Sequence, residues 1–169
     1  MGTRSTIALE FADGTVEQVY CHWDGYLEHN GKILAEHYSD PFKLRDLIDM
    51  GDMSSLGKVI GEAHPFSQFV SDTDEFKALP KAEQERIKAE TEALYEHARD
   101  QGYCTFYKRD RGEEGCESNK FVDFQDYLAH HQYEEYEYIL RKDGNWYVKC
   151  HDAAYELLAL ALVETKEVA

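Results

Sequence analysis

Residues 3–23 read TRSTIALEFADGTVEQVYCHW, and the phase of this stretch decides the fold class. Thr3, Ser5, Ile7, Leu9 and Phe11 alternate with Arg4, Thr6, Ala8 and Glu10, a period of two that predicts a strand over 3–11. Ala12-Asp13-Gly14 is a turn signal, and 15–23 predicts a second strand. A two-residue Asp13-Gly14 loop would set Glu10 opposite Glu17 and scatter the apolar residues over both faces. A three-residue loop with Gly14 left-handed sets Ile7 opposite Val19 and Ser5 opposite Cys21. It gathers Ile7, Leu9, Phe11, Val19, Cys21 and Trp23 on one face, the expected core, and leaves Arg4, Thr6, Tyr20 and His22 on the other.

A second hairpin is predicted from Tyr136–Arg141 and Trp146–Cys150 about Lys142-Asp143-Gly144. Phase again selects three loop residues, pairing Leu140 with Trp146, Tyr138 with Val148 and Glu137 with Lys149. Tyr103 to Lys108 reads as a further, central strand closed by Arg109-Asp110-Arg111-Gly112.

Helices are expected between the strands. Lys32 to Tyr38 is a short one. Asp40-Pro41 opens a second, with Leu44, Leu47 and Ile48 as its apolar stripe and Gly51 as its stop. Residues 51–72, broken at Gly51, Gly57, Gly61 and Pro65, are expected to run over the surface around a short helix at Leu56 to Ile60. Pro80 opens the longest helix, to about Gln101, with Gly102 as its stop and a narrow stripe of Ile87, Leu94, Tyr95 and Ala98. Phe121 to Leu128 reads as a short helix. Asp152 is the expected N-cap of a last, well-buried helix carrying Tyr155, Leu157, Leu158, Leu160, Ala161 and Leu162. The chain, 1–169, is expected to form one α+β domain. It has one antiparallel sheet of about five strands, from two hairpins and a central strand, with helices mainly on one face and a variable helical segment at about 72–102.

The formal net charge is −16, from 34 acids against 18 bases. That balance argues against direct nucleic-acid or anionic-membrane binding and suits a partner with a basic surface; acidity also serves solubility. No apolar run approaches the ~18 residues of a membrane span, and no signal peptide is recognisable, since Ile7 to Phe11 is too short for an apolar h-region. Cys21, Cys104, Cys116 and Cys150 are widely spaced and form no C-x-x-C pair, which favours reduced thiols in a cytoplasm.

The opening Met1-Gly2-Thr3-Arg4-Ser5-Thr6-Ile7-Ala8, with Cys21-His22-Trp23-Asp24-Gly25-Tyr26 and Asn30-Gly31, resembles a family of small proteins of tailed bacteriophages and prophages. Cys104-Thr105-Phe106-Tyr107 with Arg109-Asp110-Arg111-Gly112, and Tyr138-Ile139-Leu140 with Asp143-Gly144 and Trp146-Tyr147-Val148, look similar too. The likeness covers both hairpins and the 103–108 segment. It implies a setting, the cytoplasm of an infected bacterium, where small accessory proteins often bind and inhibit host proteins such as defence systems. It carries no catalytic residues.

Two surfaces are candidates for function. Arg4, Tyr20, His22, Asp24 and Tyr26 cluster at the end of the first hairpin, where a histidine beside a carboxylate and an arginine makes an acid/base or anion-binding group. An Arg4–Asp24 pair with His22 capping the strand is the structural alternative. From Gly112 to Leu140 there are eight acids and one base, Lys120. Of these acids, Glu113, Glu114, Glu117, Asp123, Asp126, Glu134 and Glu135, interleaved with Phe and Tyr, form the candidate partner-binding face; a solvated face over a tyrosine-rich core is the alternative. His22, His29, His37, His130, His131, Cys21 and Cys104 are metal-capable but lack metal-site spacing, so no metal or cofactor is expected. No nucleotide-binding glycine loop or nucleophile elbow is present. The function expected is a phage-encoded accessory protein that binds and modulates a host protein, with a small-ligand site or enzyme at Arg4, Tyr20, His22 and Asp24 as the rival reading.

Overall fold

The computed structural model describes residues 2–168, with side-chain surroundings through 165. β1 (Ser5–Glu10) is the centre. It pairs antiparallel with β2 (Val16–Cys21) in the expected register, Ser5 opposite Cys21 and Ile7 opposite Val19. Gly14 closes the loop at φ +92°, a conformation cheap only for glycine, and donates its N–H to the Phe11 carbonyl at 2.9 Å.

A short π-turn and α1 (Lys32–His37) lead into α2 (Pro41–Asp49), where the Asp40 side chain accepts the Phe42 N–H as N-cap. Gly51 follows at φ +84°. β3 (Met53–Ser55), α3 (Asp74–Lys77) and the long α4 (Lys81–Asp100) come next, then β4 (Thr105–Phe106) and α5 (Tyr107–Arg111). β5 (Asn119–Phe121) and α6 (Phe124–His130) precede the second hairpin, β6 (Tyr136–Leu140) and β7 (Trp146–Cys150). That hairpin also has the expected pairs Leu140–Trp146, Tyr138–Val148 and Glu137–Lys149. β8 (Glu156–Leu157) and α7 (Leu158–Val168) follow.

The α+β class holds, but the sheet is larger and more mixed than expected. Eight strands form one sheet in the order β4-β3-β2-β1-β6-β7-β8, with β5 also on β2. β1–β6 and β2–β3 run parallel, so the sheet is not purely antiparallel. The expected central strand at 103–108 is a two-residue edge strand instead, because the chain turns into α5 at Tyr107. Residues 56–60 form no helix; Val59 makes a parallel bridge to Tyr103. Asp152 caps no helix, since the chain first adds β8 and α7 starts at Leu158. α7 buries Leu158 and Ala161 but exposes Leu160 and Val163, so it is a lid on the core and not the fully buried helix expected.

Both faces of the sheet are covered. On one, Ile7, Leu9, Val19, Cys21, Tyr138 and Val148 meet α1, α2 and α7 through residues such as Leu34, Leu44, Ile48 and Leu158. On the other, Ala8, Val16 and Ile139 pack under Phe121 and the α6 residue Tyr127. Of the helices in these two clusters, α1, α2 and α7 lie on the first face and α6 on the second. The second face escapes a hydropathy reading because its buried charged and amide side chains are paired, although the Thr6 hydroxyl has no hydrogen-bond partner among the described residues. Glu10 accepts the Arg141 guanidinium at 2.8 Å and the Lys142 N–H at 3.0 Å, and Gln18 exchanges two hydrogen bonds with the Gln132 backbone. Burial alone would raise the Glu10 pKa; the Arg141 and Lys142 bonds outweigh it and hold the carboxyl below its usual value.

Trp23 is the clearest correction. It is 44% exposed although the register that was to bury it is right. β2 ends at Cys21, and Asp24 at φ +56° turns the chain away. The Trp23 ring lies against Gly2, where a Cβ would come within 2.7 Å of it, and meets the His22 ring edge-on at 4.7 Å. A half-covered ring loses less on truncation than a core one. We expect Trp23→Ala to cost about 1–2 kcal/mol in chemical denaturation, well short of the about 3–5 kcal/mol of a buried tryptophan.

Among the described residues no helix is long and apolar enough to cross a membrane.

Candidate functional site

The first-hairpin cluster assembles only in part. Tyr20 and His22 both lie on the face of β2 away from the main core, two residues apart, and the Tyr20 hydroxyl lies 2.7 Å from His22 Nδ1. Burial pushes the Tyr20 phenol pKa up; the nearby Glu134 adds to this, and Arg4 works against it. Tyr20 is therefore a neutral hydrogen-bonding group at physiological pH. Arg4, just before β1, thus joins Tyr20 and His22.

Asp24 does not. Among the described residues no hydrogen bond or ion pair links it to His22 or Arg4. Its backbone is left-handed, and its charge and a hydrogen bond from Tyr26 raise the Tyr26 phenol pKa. The five residues of the expected cluster thus separate into Arg4–Tyr20–His22 and Asp24–Tyr26. A His–carboxylate dyad is not formed there, which removes the simplest acid/base reading.

Carboxylates from two remote segments reach Arg4 and Tyr20, and a third segment reaches them through Asp52. Asp52, just before β3, accepts the Tyr20 N–H at 2.9 Å. Burial raises its pKa, the Tyr20 N–H opposes this, and Glu117 and Glu113 push it further up. Those two come from the loop after α5; Glu113 pairs with Arg111, and Glu117 lies 4.0 Å from Lys108. Glu135, before β6, accepts the Arg4 N–H at 3.4 Å, and Glu134 lies close enough to act on Tyr20. Glu114 is exposed on the same loop as Glu113 and Glu117.

Asp123 and Asp126 stand apart from this rim in role. Asp123 caps α6 by accepting the Asp126 N–H at 2.8 Å, and Asp126 accepts the Val122 N–H at 3.0 Å and contacts His130 at 2.9 Å. The Val122 bond, then His130, lowers the Asp126 pKa. These two carboxylates are committed to holding the turn before α6.

Two buried clusters were not legible as such. Asp110, fully buried, accepts N–H groups from Phe106, His64 and the Arg109 guanidinium at 2.8–3.2 Å. Arg109 also donates to the Ile60, Gly61 and Cys104 carbonyls. The pair therefore ties the 60–64 segment to β4 and α5. The second cluster is Glu137, 1% exposed, which meets His131 Nε2 at 2.5 Å and the Tyr155 hydroxyl at 2.9 Å, with Lys149 Nζ at 3.8 Å. His131 Nδ1 faces the Tyr127 carbonyl at 2.8 Å, so both ring nitrogens are engaged within the fold. In sequence Glu137 and His131 sat in the 112–140 run, read as a candidate partner-binding acidic face with a solvated face as the alternative. Only the alternation of 136–140, which opposes Glu137 to Tyr136 and Tyr138, marked Glu137 as different.

The four cysteines are free thiols. Burial pushes the Cys21 thiol up to about 12 and Cys104 upward as well, so neither is an activated nucleophile. Among the described residues no group of three or more His, Cys, Asp or Glu is placed to hold a metal ion.

No protein-family model matches the chain, and neither does any curated protein or solved structure.

Proposed function

We propose that this is a binding protein that docks a basic protein surface on the acidic rim around Arg4, Tyr20 and His22. One observation carries the reading. Three segments remote in sequence contribute: Asp52 accepts the Tyr20 main-chain N–H with Glu113 and Glu117 close enough to act on it, Glu135 accepts the Arg4 main-chain N–H, and Glu134 acts on the Tyr20 phenol. Acids brought together in this way repel one another. Burial is the main reason the Asp52 pKa is raised, and Glu117 and Glu113 add to it. A surface that carries such a cost suits complementary charge on a partner. In the setting implied by the likeness to tailed-phage proteins, the partner is a host protein in the cytoplasm whose basic surface ordinarily faces nucleic acid. The phage protein would block or modulate it.

Two measurements follow. Because folding raises the Asp52 pKa, the folded state binds this proton more tightly than the unfolded state. The ionised carboxylate therefore destabilises the fold at neutral pH. That cost disappears as pH falls through the raised folded value towards the ordinary carboxylate range. Asp52→Asn keeps an oxygen to accept the Tyr20 N–H and drops the charge. It is expected to melt higher than the native protein at pH 7, with the gap closing at acid pH. A lower melting temperature at pH 7 would remove the argument that the part-buried Asp52 charge is a cost to the fold.

For binding, immobilised protein is expected to retain one basic protein from host lysate at low salt and release it as ionic strength rises through the range where Debye screening shortens to about 8 Å and below. Retention of nothing specific at low salt, or of a partner indifferent to salt, would count against the acidic rim.

A further inference from the structure

On the opposite side of the first hairpin, the structure holds a cleft of about 380 Å³ whose charge is opposite to that of the chain. The whole sequence has 34 acids and 18 bases, yet the cleft lining sets two bases, Lys58 and Arg99, against one carboxylate, Asp24, with the imidazoles His29, His37 and His64 beside them. Its walls come from distant elements. The α4 helix supplies Tyr95 and Arg99, four residues apart and so on one helical face. The 55–58 segment supplies the facing wall, and Tyr103 closes one end.

Glycines bring those walls together. A Cβ at Gly57 would lie 2.2 Å from the Gly102 carbonyl oxygen, and one at Gly102, which sits at φ +72°, would lie 2.7 Å from the Lys58 side chain. The end of α4 and the segment after β3 therefore meet backbone to backbone. Lys58 and Arg99 thereby both line the cleft. The Lys58 stem lies over Gly102, and no ion pair involves Lys58 among the described residues. Arg99 has only an exposed contact to Asp100 at 3.6 Å, of the kind that contributes little. The cationic groups are thus available to an incoming anion.

We propose that this cleft binds a nucleoside monophosphate. Its volume lies within the range of small-ligand sites, roughly 300–1,000 Å³. Lys58 and Arg99 supply charge for the phosphate, and arginine is suited to the bidentate contact that phosphate oxygens accept. Tyr95 offers an aromatic surface for a base. Asp24 is an acceptor for ribose hydroxyls, the role acidic residues take in other nucleotide sites. A lone inorganic anion would use the cations but leave Tyr95 and Asp24 without a function. A nucleoside would use those two and leave the cations unpaired.

Calorimetric titration of the full chain tests this, with AMP, GMP, CMP and UMP as probes and inorganic phosphate and adenosine in parallel. At least one nucleotide is expected to bind saturably and more tightly than phosphate or adenosine. Arg99→Gln and Lys58→Gln, both at exposed positions, are expected to weaken that binding about tenfold or more each with an unchanged circular-dichroism spectrum. Tyr95→Ala should weaken the nucleotide and leave phosphate unaffected. Charge reversal at Glu113 and Glu134, on the acidic rim, should leave it unchanged, so the two sites fail or succeed separately. Absence of saturable nucleotide binding would overturn the proposal. So would phosphate binding as tight as any nucleotide, or indifference to both Arg99→Gln and Lys58→Gln in folded protein.

Discussion

Asp110→Ala is expected to destabilise the fold by about 3–5 kcal/mol, among the largest losses for any single side chain here. Asp110 is fully buried and, among the described residues, is the one carboxylate paired with Arg109, itself only 14% exposed. Its removal leaves the guanidinium without a counter-charge and strands the Phe106 and His64 N–H groups at once. The damage should be local at first. The 60–64 segment is held to β4 by Arg109 and Asp110 through the bonds to Ile60, Gly61, Cys104 and His64, and α4 depends on that region for its seat through the Tyr103 N–H bond to Ala98. Hydrogen exchange should show loss of protection at 59–64 and 103–107 before the sheet centre is affected. Urea unfolding gives the total cost. A loss under about 1 kcal/mol, of the size found for exposed pairs, would mean that Asp110 is solvated in solution.

Glu137→Ala is expected to cost a similar about 3–5 kcal/mol. The carboxylate binds His131 and Tyr155 and lies near Lys149, so it fastens the 131–137 turn, β7 and the segment before β8 to each other. Tyr155, with its phenol raised by burial and by the neighbouring Tyr127 and Glu137, is a firm proton donor across the neutral range. Glu137→Gln keeps an oxygen to accept from Tyr155 and loses the charge facing Lys149, and it should fall between the native protein and Glu137→Ala. Thermal unfolding of the three forms at pH 7 measures the order. If Glu137→Ala were near neutral, the cluster would be a loose surface group after all.

How far the sequence could be read depended on the range of each interaction. Both hairpins were legible because strand phase and a glycine at the left-handed loop position are local facts, and Gly14 and Gly144 both have positive φ. The parallel pairing of β1 with β6 carries no local mark: Ser5 meets Tyr136 across more than a hundred residues, and either edge of β1 could have been free. The buried second face was hidden because Gln18 and Glu10 read as solvent-facing until their partners, Gln132 and Arg141, are known. Trp23 failed for a different reason. Its phase was right, but strand phase has no meaning past Cys21, where Asp24 takes a left-handed conformation.

The candidate site was half legible. Arg4, Tyr20 and His22 could be grouped from the hairpin register, and Asp24 was separated by the same left-handed turn. The acidic run at 113–135 was visible as composition, yet its division was not. Asp123 and Asp126 serve the start of α6, while Glu113, Glu117, Glu134 and Glu135 reach the rim around Tyr20, where Asp52 joins them from a segment that composition gave no reason to include. The cationic cleft was invisible because Lys58 and Arg99 become neighbours only through the close backbone approach of Gly57 and Gly102.

The central claim is that the rim recognises a partner by charge. The most direct test is the affinity of the retained host protein, purified, for the native chain and for a Glu113→Lys, Glu117→Lys, Glu134→Lys variant of unchanged fold, each measured across a salt series. The account predicts affinity that falls steeply with salt for the native chain and a variant weaker by about a hundredfold or more at low salt, on the scale of close charge pairs at interfaces. Equal affinity of the two proteins at low salt would contradict it.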